Sequence, residues 1–248
     1  MTIIKPQAVV YGEPDLCSQM TDEALCGTQV SLLCREGNFY RIQTEYGYQC
    51  YVSVSDVGEG TRCDAFVTAP FCDLLPSDEY YCAPLVTLPR GAKIGVTGNG
   101  ERFVPVSACG VNGYVRTSQI NKGPCYPLSR DKICDNALSY LGTSYRWGGK
   151  TPSGIDCSGL AFMAYSLCGV NIWRDAEPDK QTMFDMIPLS KAERGDLLFF
   201  KGHVAVSLGG DAFVHASGAH GAVTTGRYGD YKDMFDRFIT AATLKGGF

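Results

Sequence analysis

The sequence predicts an α+β protein: two small β-barrels, then a larger domain in which helices pack on an antiparallel sheet. Three observations carry that reading. The first half holds an internal repeat of strand-like segments, a stretch with two prolines interrupts the chain over residues 121–130, and beyond it two helix-period segments precede a run of strands. The chain has 248 residues, 45% apolar and 19% charged, which suits a globular protein of two or three domains.

The repeat comes first. "GTQVSL" (27–32) matches "GAKIGV" (91–96), "FYRI" (39–42) matches "FVPV" (103–106), and "YVSVSDV" (51–57) matches "YVRTSQI" (114–120). The offsets are 64, 64 and 63 residues, and a constant offset is what a duplicated domain leaves behind. Each copy reads as short alternating strands split by turns such as Glu36-Gly37-Asn38 and Gly98-Asn99-Gly100. The expected domains are therefore 1–59, 60–122 and 123–248.

The third domain has a different texture. Residues 129–142 place Ile133, Ala137, Leu138 and Leu141 on one helical stripe, with Ser129 as N-cap and Gly142 as stop. Residues 157–169 repeat that pattern with Leu160, Met163, Ala164, Leu167 and Cys168, ending at Gly169. Residues 175–186 suggest a further helix capped by Asp175. Segments 196–200, 203–209, 212–217, 222–225 and 238–244 read as strands.

Charge and cysteine content bound the function. A net charge of −4 gives no polybasic footprint, so nucleic acid and anionic membrane are not expected partners. No apolar run approaches a membrane span, and a monomer is expected. The first fourteen residues lack an apolar h-region and a small-residue cleavage site. The expectation is thus a cytoplasmic protein, with secretion the alternative if a leader has been removed. Twelve cysteines permit a disulfide framework, but no two are closer than eight positions and a chain of this size needs no staples. Free, mostly buried thiols are expected, with no metal and no cofactor.

Cys157 stands apart because it opens a helix, where unsatisfied N–H groups and the positive dipole end favour a thiolate. A neighbouring imidazole can take its proton, giving a thiolate–imidazolium pair, and a second polar residue can orient that ring. The chain has three histidines, His203, His215 and His220. A two-residue Gly209-Gly210 turn puts His203 and His215 on opposite faces. A three-residue Gly209-Gly210-Asp211 loop pairs Leu208 with Ala212, faces His215 to Ala205 and leaves His203 diagonal to it, at roughly 7–8 Å along the backbone. The functional reading requires the odd-length loop.

These residues carry a resemblance. "YRWGGKTPSGIDCSGL" (145–160), "RDAEPDKQ" (174–181), "RGDLLFF" (194–200), "HVAVSLG" (203–209) and "FVHAS" (213–217) resemble, in order and spacing, the NlpC-type papain-like cysteine peptidases of bacterial cell walls. The repeated segments resemble the bacterial SH3-like domain, although Gln49-Cys50-Tyr51-Val52 stands where Gly-Trp-Val is usual. The resemblance implies Cys157 as nucleophile, His203 as general base and acid, and His215 as the residue that orients His203. It also implies the Cys157 N–H and the Tyr145 hydroxyl as oxyanion donors.

Two SH3-like domains before such a domain resemble the branch that cleaves peptidoglycan-derived stem peptides between γ-D-Glu and the diamino acid and requires a free N-terminal L-Ala. Asp156, Ser158 and Asp175 match its ammonium-holding positions, and Glu23 and Tyr48 are candidates for the far wall of the cleft. Competing readings are a wall-fragment-binding protein without catalysis, a papain-like acyltransferase, and a Cys157-His203-His215 zinc site. For the aromatics Tyr145 and Trp147 the plainer reading is core packing, and for His220 a solvated loop.

Overall fold

The computed structural model describes residues 1–60, 62–123 and 125–247 and divides into two compact units, Met1–Cys125 and Tyr126–Phe248. Position 124, inside the expected connector over 121–130, lies outside the described residues. No helix is long and apolar enough to cross a membrane among the described residues.

The N-terminal unit shows why the repeat has the spacing it has. In the first copy, strands Val30–Glu36, Phe39–Thr44 and Gln49–Ser53 run as a meander, followed by a 3-10 turn at Val54–Asp56. In the second copy the matching segments form Lys93–Val96, Phe103–Ala108 and Val111–Arg116, followed by a 3-10 turn at Thr117–Gln119. Each meander belongs to its own five-stranded antiparallel sheet. Alternation buries one face of each. Val10, Ile42 and Val52 centre the first core, and Leu74, Ile94, Val104 and Val115 the second.

The C-terminal unit packs two helices on a six-stranded antiparallel sheet. The sheet order is Phe184–Ile187, Phe238–Leu244, Leu197–Phe200, His203–Gly209, Ala212–Ser217, Ala222–Arg227. Helix α1 spans Arg130–Leu138, and the Ser129 hydroxyl caps it by accepting from the Lys132 N–H at 3.1 Å. It is shorter than the periodicity suggests, and Leu141, expected on the buried stripe, is exposed. Helix α2 spans Cys157–Ser166 and is buried from Cys157 to Tyr165. Such a helix is enclosed on all sides instead of showing one apolar stripe.

Two other expectations are corrected. Residues 175–186 do not form a helix: a single 3-10 turn occupies Pro178–Lys180, and the chain then joins the sheet edge, pairing Phe184 with Leu244. Proline leaves the residue before it outside the α region, and edge pairing takes the apolar side chains that suggested a helix. Trp147 is not in a core; it is 60% exposed.

The hairpin that carries the histidines has the required register by a different route. Val206 faces Val214 and Ser207 faces Phe213, but the register then shifts so that Gly209 faces Ala212. Leu208 is the extra residue of a β-bulge, and the two-residue turn Gly210-Asp211 closes the hairpin in place of the expected three-residue loop. Gly209 and Gly210 both have left-handed backbone, φ 91° and 61°, which explains the glycine pair. Since the body of the hairpin keeps the odd-loop register, His203 and His215 share a face.

Candidate active site

The site is built around the start of α2. The Gly-Gly and Ser-Gly pairs of the 145–160 block answer a packing need. A Cβ on Gly159 would lie 2.2 Å from the Gly149 carbonyl oxygen, and one on Gly149 would lie 2.4 Å from that of Gly154. Only bare backbone fits there. Asp156 is the N-cap of α2, and its carboxylate accepts from the Gly159 N–H at 2.6 Å and the Gly148 N–H at 2.7 Å. Cys157 is thereby fixed as the first residue of the helix.

Arg174 completes this cluster, and sequence reasoning missed it. Its side chain is 1% exposed; Nη1 donates to Asp156 Oδ1 at 3.1 Å and to Ser158 Oγ at 2.8 Å, and Nη2 donates to Asp156 Oδ2 and the Gly149 carbonyl, both at 3.3 Å. The signal lies in the "RDAEP" block, where this arginine directly precedes the acid matched to the ammonium site. Asp156 and Ser158 are thus brought together, but both engage protein partners. Asp175 is half-buried, and its carbonyl accepts from the Gln181 side chain at 3.3 Å.

Cys157 is 8% exposed. Burial pushes its thiol up to about 11, with the Asp156 charge adding to the rise; the Val204 and Ser158 N–H groups and the Arg174 guanidinium act in the opposite sense. The helix start therefore does favour the anion, but desolvation outweighs it. The Val204 N–H contact also places the sulfur at the start of the strand that His203 opens.

The two imidazoles meet directly. His203 Nε2 and His215 Nδ1 are 2.9 Å apart, with ring planes at 83°. That bond uses Nε2 of His203 and leaves Nδ1 for a reacting partner. Burial, then the Arg237 charge, lowers His203 to about 4, with Asp156 opposing; burial, then His203 and His220, lowers His215 to about 3. Burial thus disfavours charge on both rings as it does on the sulfur.

This arrangement leaves a ring nitrogen of His203 that can take a proton during attack. It does not suit zinc, because two rings bonded to each other cannot both turn a nitrogen lone pair to one ion. Among the described residues no group of three or more His, Cys, Asp or Glu side chains is arranged to hold a metal.

Tyr145 is half-buried beside these groups. Burial, then the charges of Cys157 and Asp156, pushes its phenol up to about 12, so it stays a hydroxyl donor near neutrality. His220 is exposed in its loop, and its Nδ1 lies 2.9 Å from Ser217 Oγ. Glu23 and Tyr48 lie in the N-terminal unit. Glu23 is buried and accepts from Gln7 Nε2 at 3.2 Å, and Tyr48 packs on the first barrel's core. Six of the twelve cysteines are buried, and only Cys17 and Cys34 are exposed.

A papain-like fold with a cysteine heading a buried helix, and an imidazole pair on the adjoining sheet, defines a class of cysteine peptidases. Comparison with known proteins agrees. Residues 142–243 match the NlpC/P60 family, and residues 10–57 match the bacterial dipeptidyl-peptidase Sh3 domain. Dipeptidyl-peptidase 6 of Lysinibacillus sphaericus is 34% identical over 87% of this chain and 86% of its own. The probable endopeptidase NlpC homolog of Haemophilus influenzae is 36% identical over 52% of this chain and 69% of its own. An NlpC/P60 family protein from Bacillus cereus shares the fold, with a TM-score of 0.84 over 98% of each chain at 16% identity. The chain belongs to the NlpC/P60 family.

Two outcomes follow from this geometry. Arg174→Ala leaves the Asp156 carboxylate buried without its cation and is expected to cost about 3–5 kcal/mol of stability in urea unfolding; a loss under about 1 kcal/mol would contradict the hub assigned to this pair. Because both imidazoles bind protons less readily folded than unfolded, acid favours the unfolded chain. Their contribution to stability is whole above about pH 6.5 and is lost as pH falls towards 4 and 3. Urea midpoints at stepped pH should therefore decline from about pH 6.5 to 5, above the range of ordinary carboxylates, and His215→Asn should flatten that decline. A wild-type profile already flat there would show that the rings are not held neutral.

Proposed function

We propose that this protein is a peptidoglycan endopeptidase that hydrolyses the bond between γ-D-Glu and the diamino acid of stem peptides with a free N-terminal L-Ala. The observation that carries it is the 2.9 Å bond between His203 Nε2 and His215 Nδ1, which leaves a basic nitrogen of His203 for the thiol of Cys157. With His203 donating from Nε2 to His215, its Nδ1 is the base. As the Cys157 sulfur attacks the γ-carbonyl carbon, His203 takes the thiol proton. The carbonyl oxygen gains charge against the Cys157 N–H and the Tyr145 hydroxyl. Collapse breaks the C–N bond, the leaving amine takes the proton from His203, and a thioester remains. Water, deprotonated by His203, cleaves the thioester, releases L-Ala-D-Glu and restores the thiol.

Three facts support the finer reading. The Lysinibacillus sphaericus relative is named a dipeptidyl-peptidase, and cutting after γ-D-Glu in a peptide with a free L-Ala removes a dipeptide. Murein DD-endopeptidase MepS/murein LD-carboxypeptidase of Escherichia coli is 32% identical over 38% of this chain and 53% of its own, and its name places it on murein. Ser158 accepts from the buried Arg174 and Asp175 follows Arg174 in the chain, and these are two of the positions at which the resemblance implies that an ammonium is held. Asp156, the third of those positions, accepts from Gly148, Gly159 and Arg174 through its two oxygens.

The test is incubation with L-Ala-γ-D-Glu-diaminopimelate and with its N-acetylated form, followed by detection of the released dipeptide. Release of L-Ala-D-Glu from the first peptide only is expected. Cys157→Ala should remove the activity by several orders of magnitude with the fold kept, and Tyr145→Phe should lower kcat by roughly 100-fold. Intact peptide after prolonged incubation would refute the assignment, and equal cleavage of both peptides would refute the free-amine requirement.

A further inference from the structure

Three cysteines far apart in the chain, Cys26, Cys63 and Cys109, line one small cavity in the N-terminal unit. Its volume is about 10 Å³, room for one water at most, so it is no ligand pocket. Cys26 belongs to the first copy of the repeat, directly after strand Met20–Leu25. Yet it is 3% exposed in the core of the second copy, against which Cys109 also packs. Backbone contacts clamp it there. The Lys93 N–H donates to the Cys26 carbonyl at 2.8 Å. A Cβ on Gly27, at φ 79°, would lie 2.8 Å from the Lys93 carbonyl oxygen and 2.9 Å from Cys63 Sγ.

Cys109 reaches Cys26 from a backbone position that does not favour cysteine. Strands Phe103–Ala108 and Val111–Arg116 are joined by the two-residue turn Cys109-Gly110, with Ala108 facing Val111. Both turn residues are left-handed, φ 52° and 75°, and Cys109 is the only non-glycine with positive φ among the described residues. A turn of this kind favours Asn or Asp before the glycine, and cysteine forgoes that preference. What the position gains is a contact between sulfurs. The Cys26 sulfur accepts from the S–H and the N–H of Cys109, which lowers the Cys26 thiol against the effect of burial. Cys26 is enclosed and Cys109 half-buried, so a small reagent meets Cys109 first.

We propose that Cys26 and Cys109 are a redox modification site, oxidised by a low-molecular-weight disulfide to an S–S bond that fastens the first barrel to the second. The Cys109 sulfur attacks one sulfur of the reagent, giving a mixed disulfide and one departing thiol. Cys26 then attacks the Cys109 sulfur, forms the S–S bond and expels the second thiol. Two protein thiols are oxidised, the reagent is reduced to two thiols, and the protons of Cys26 and Cys109 leave with them. The bond closes a long loop between distant residues, which restricts the unfolded chain more than the folded one.

The experiment treats the full chain with glutathione disulfide, unfolds it, alkylates the remaining thiols and maps the cysteine peptides by mass. A Cys26–Cys109 bridge is expected as the main product. The thermal midpoint of the oxidised protein should rise by roughly 5 °C or more and return with dithiothreitol. Cys109→Asn, which suits the left-handed turn, should form no bridge and show no rise, and Cys63→Ser should keep both. Cys26 recovered as an alkylated thiol or a mixed disulfide, or a main bridge to Cys63, overturns the proposal. So does a Cys26–Cys109 bridge that leaves the midpoint unmoved, or a rise as large in Cys109→Asn as in wild type. Mapping and midpoint on wild-type protein decide the matter even where a variant fails to fold.

Discussion

One carboxylate organises the C-terminal unit. Asp156 caps α2, holds the Gly148 and Gly159 N–H groups and binds the buried Arg174, so the turn before the helix, the helix itself and the following loop share a single anchor. Such a pair is costly to desolvate and costly to break, which makes it a device for geometry more than for net stability. The glycines at 149 and 159 let the backbones close on it. Cys157 inherits its place from these contacts, and the Val204 N–H joins it to the strand that brings His203.

The sheet supplies the other half through a register fixed by the Leu208 bulge. Burial then sets the protonation states. It disfavours charge on the sulfur and on both rings. Lys201, Lys232, Asp233 and Arg237 line a groove whose wall also includes both imidazoles.

Much of this was legible in the sequence because it depends on period and parity. The constant offset of the repeat marks equivalent strands, the helical stripe after Ser129 and the block around Cys157 mark α1 and α2, and an odd-loop register follows from asking two histidines to share a face. The remainder depends on partners distant in the chain. Arg174 reads as a surface cation until its carboxylate, eighteen positions earlier, is known to be buried. Residues 175–186 have helical texture, yet Phe184 pairs with Leu244, sixty positions away. The dipole at the head of α2 is a local property that sequence reveals, whereas the desolvation that outweighs it is not. The bulge is not legible in the sequence because it and a three-residue loop have the same parity.

The central claim is that His203 is hydrogen-bonded through Nε2 to His215 and keeps Nδ1 for Cys157. Nitrogen-15 NMR of the histidine side chains tests it most directly, since the two ring nitrogens have distinct shifts in each tautomer. The account predicts His203 protonated at Nε2 and coupled to an unprotonated Nδ1 of His215 near neutral pH. A His203 ring protonated at Nδ1 alone would contradict it, because that ring has no lone pair to offer the thiol.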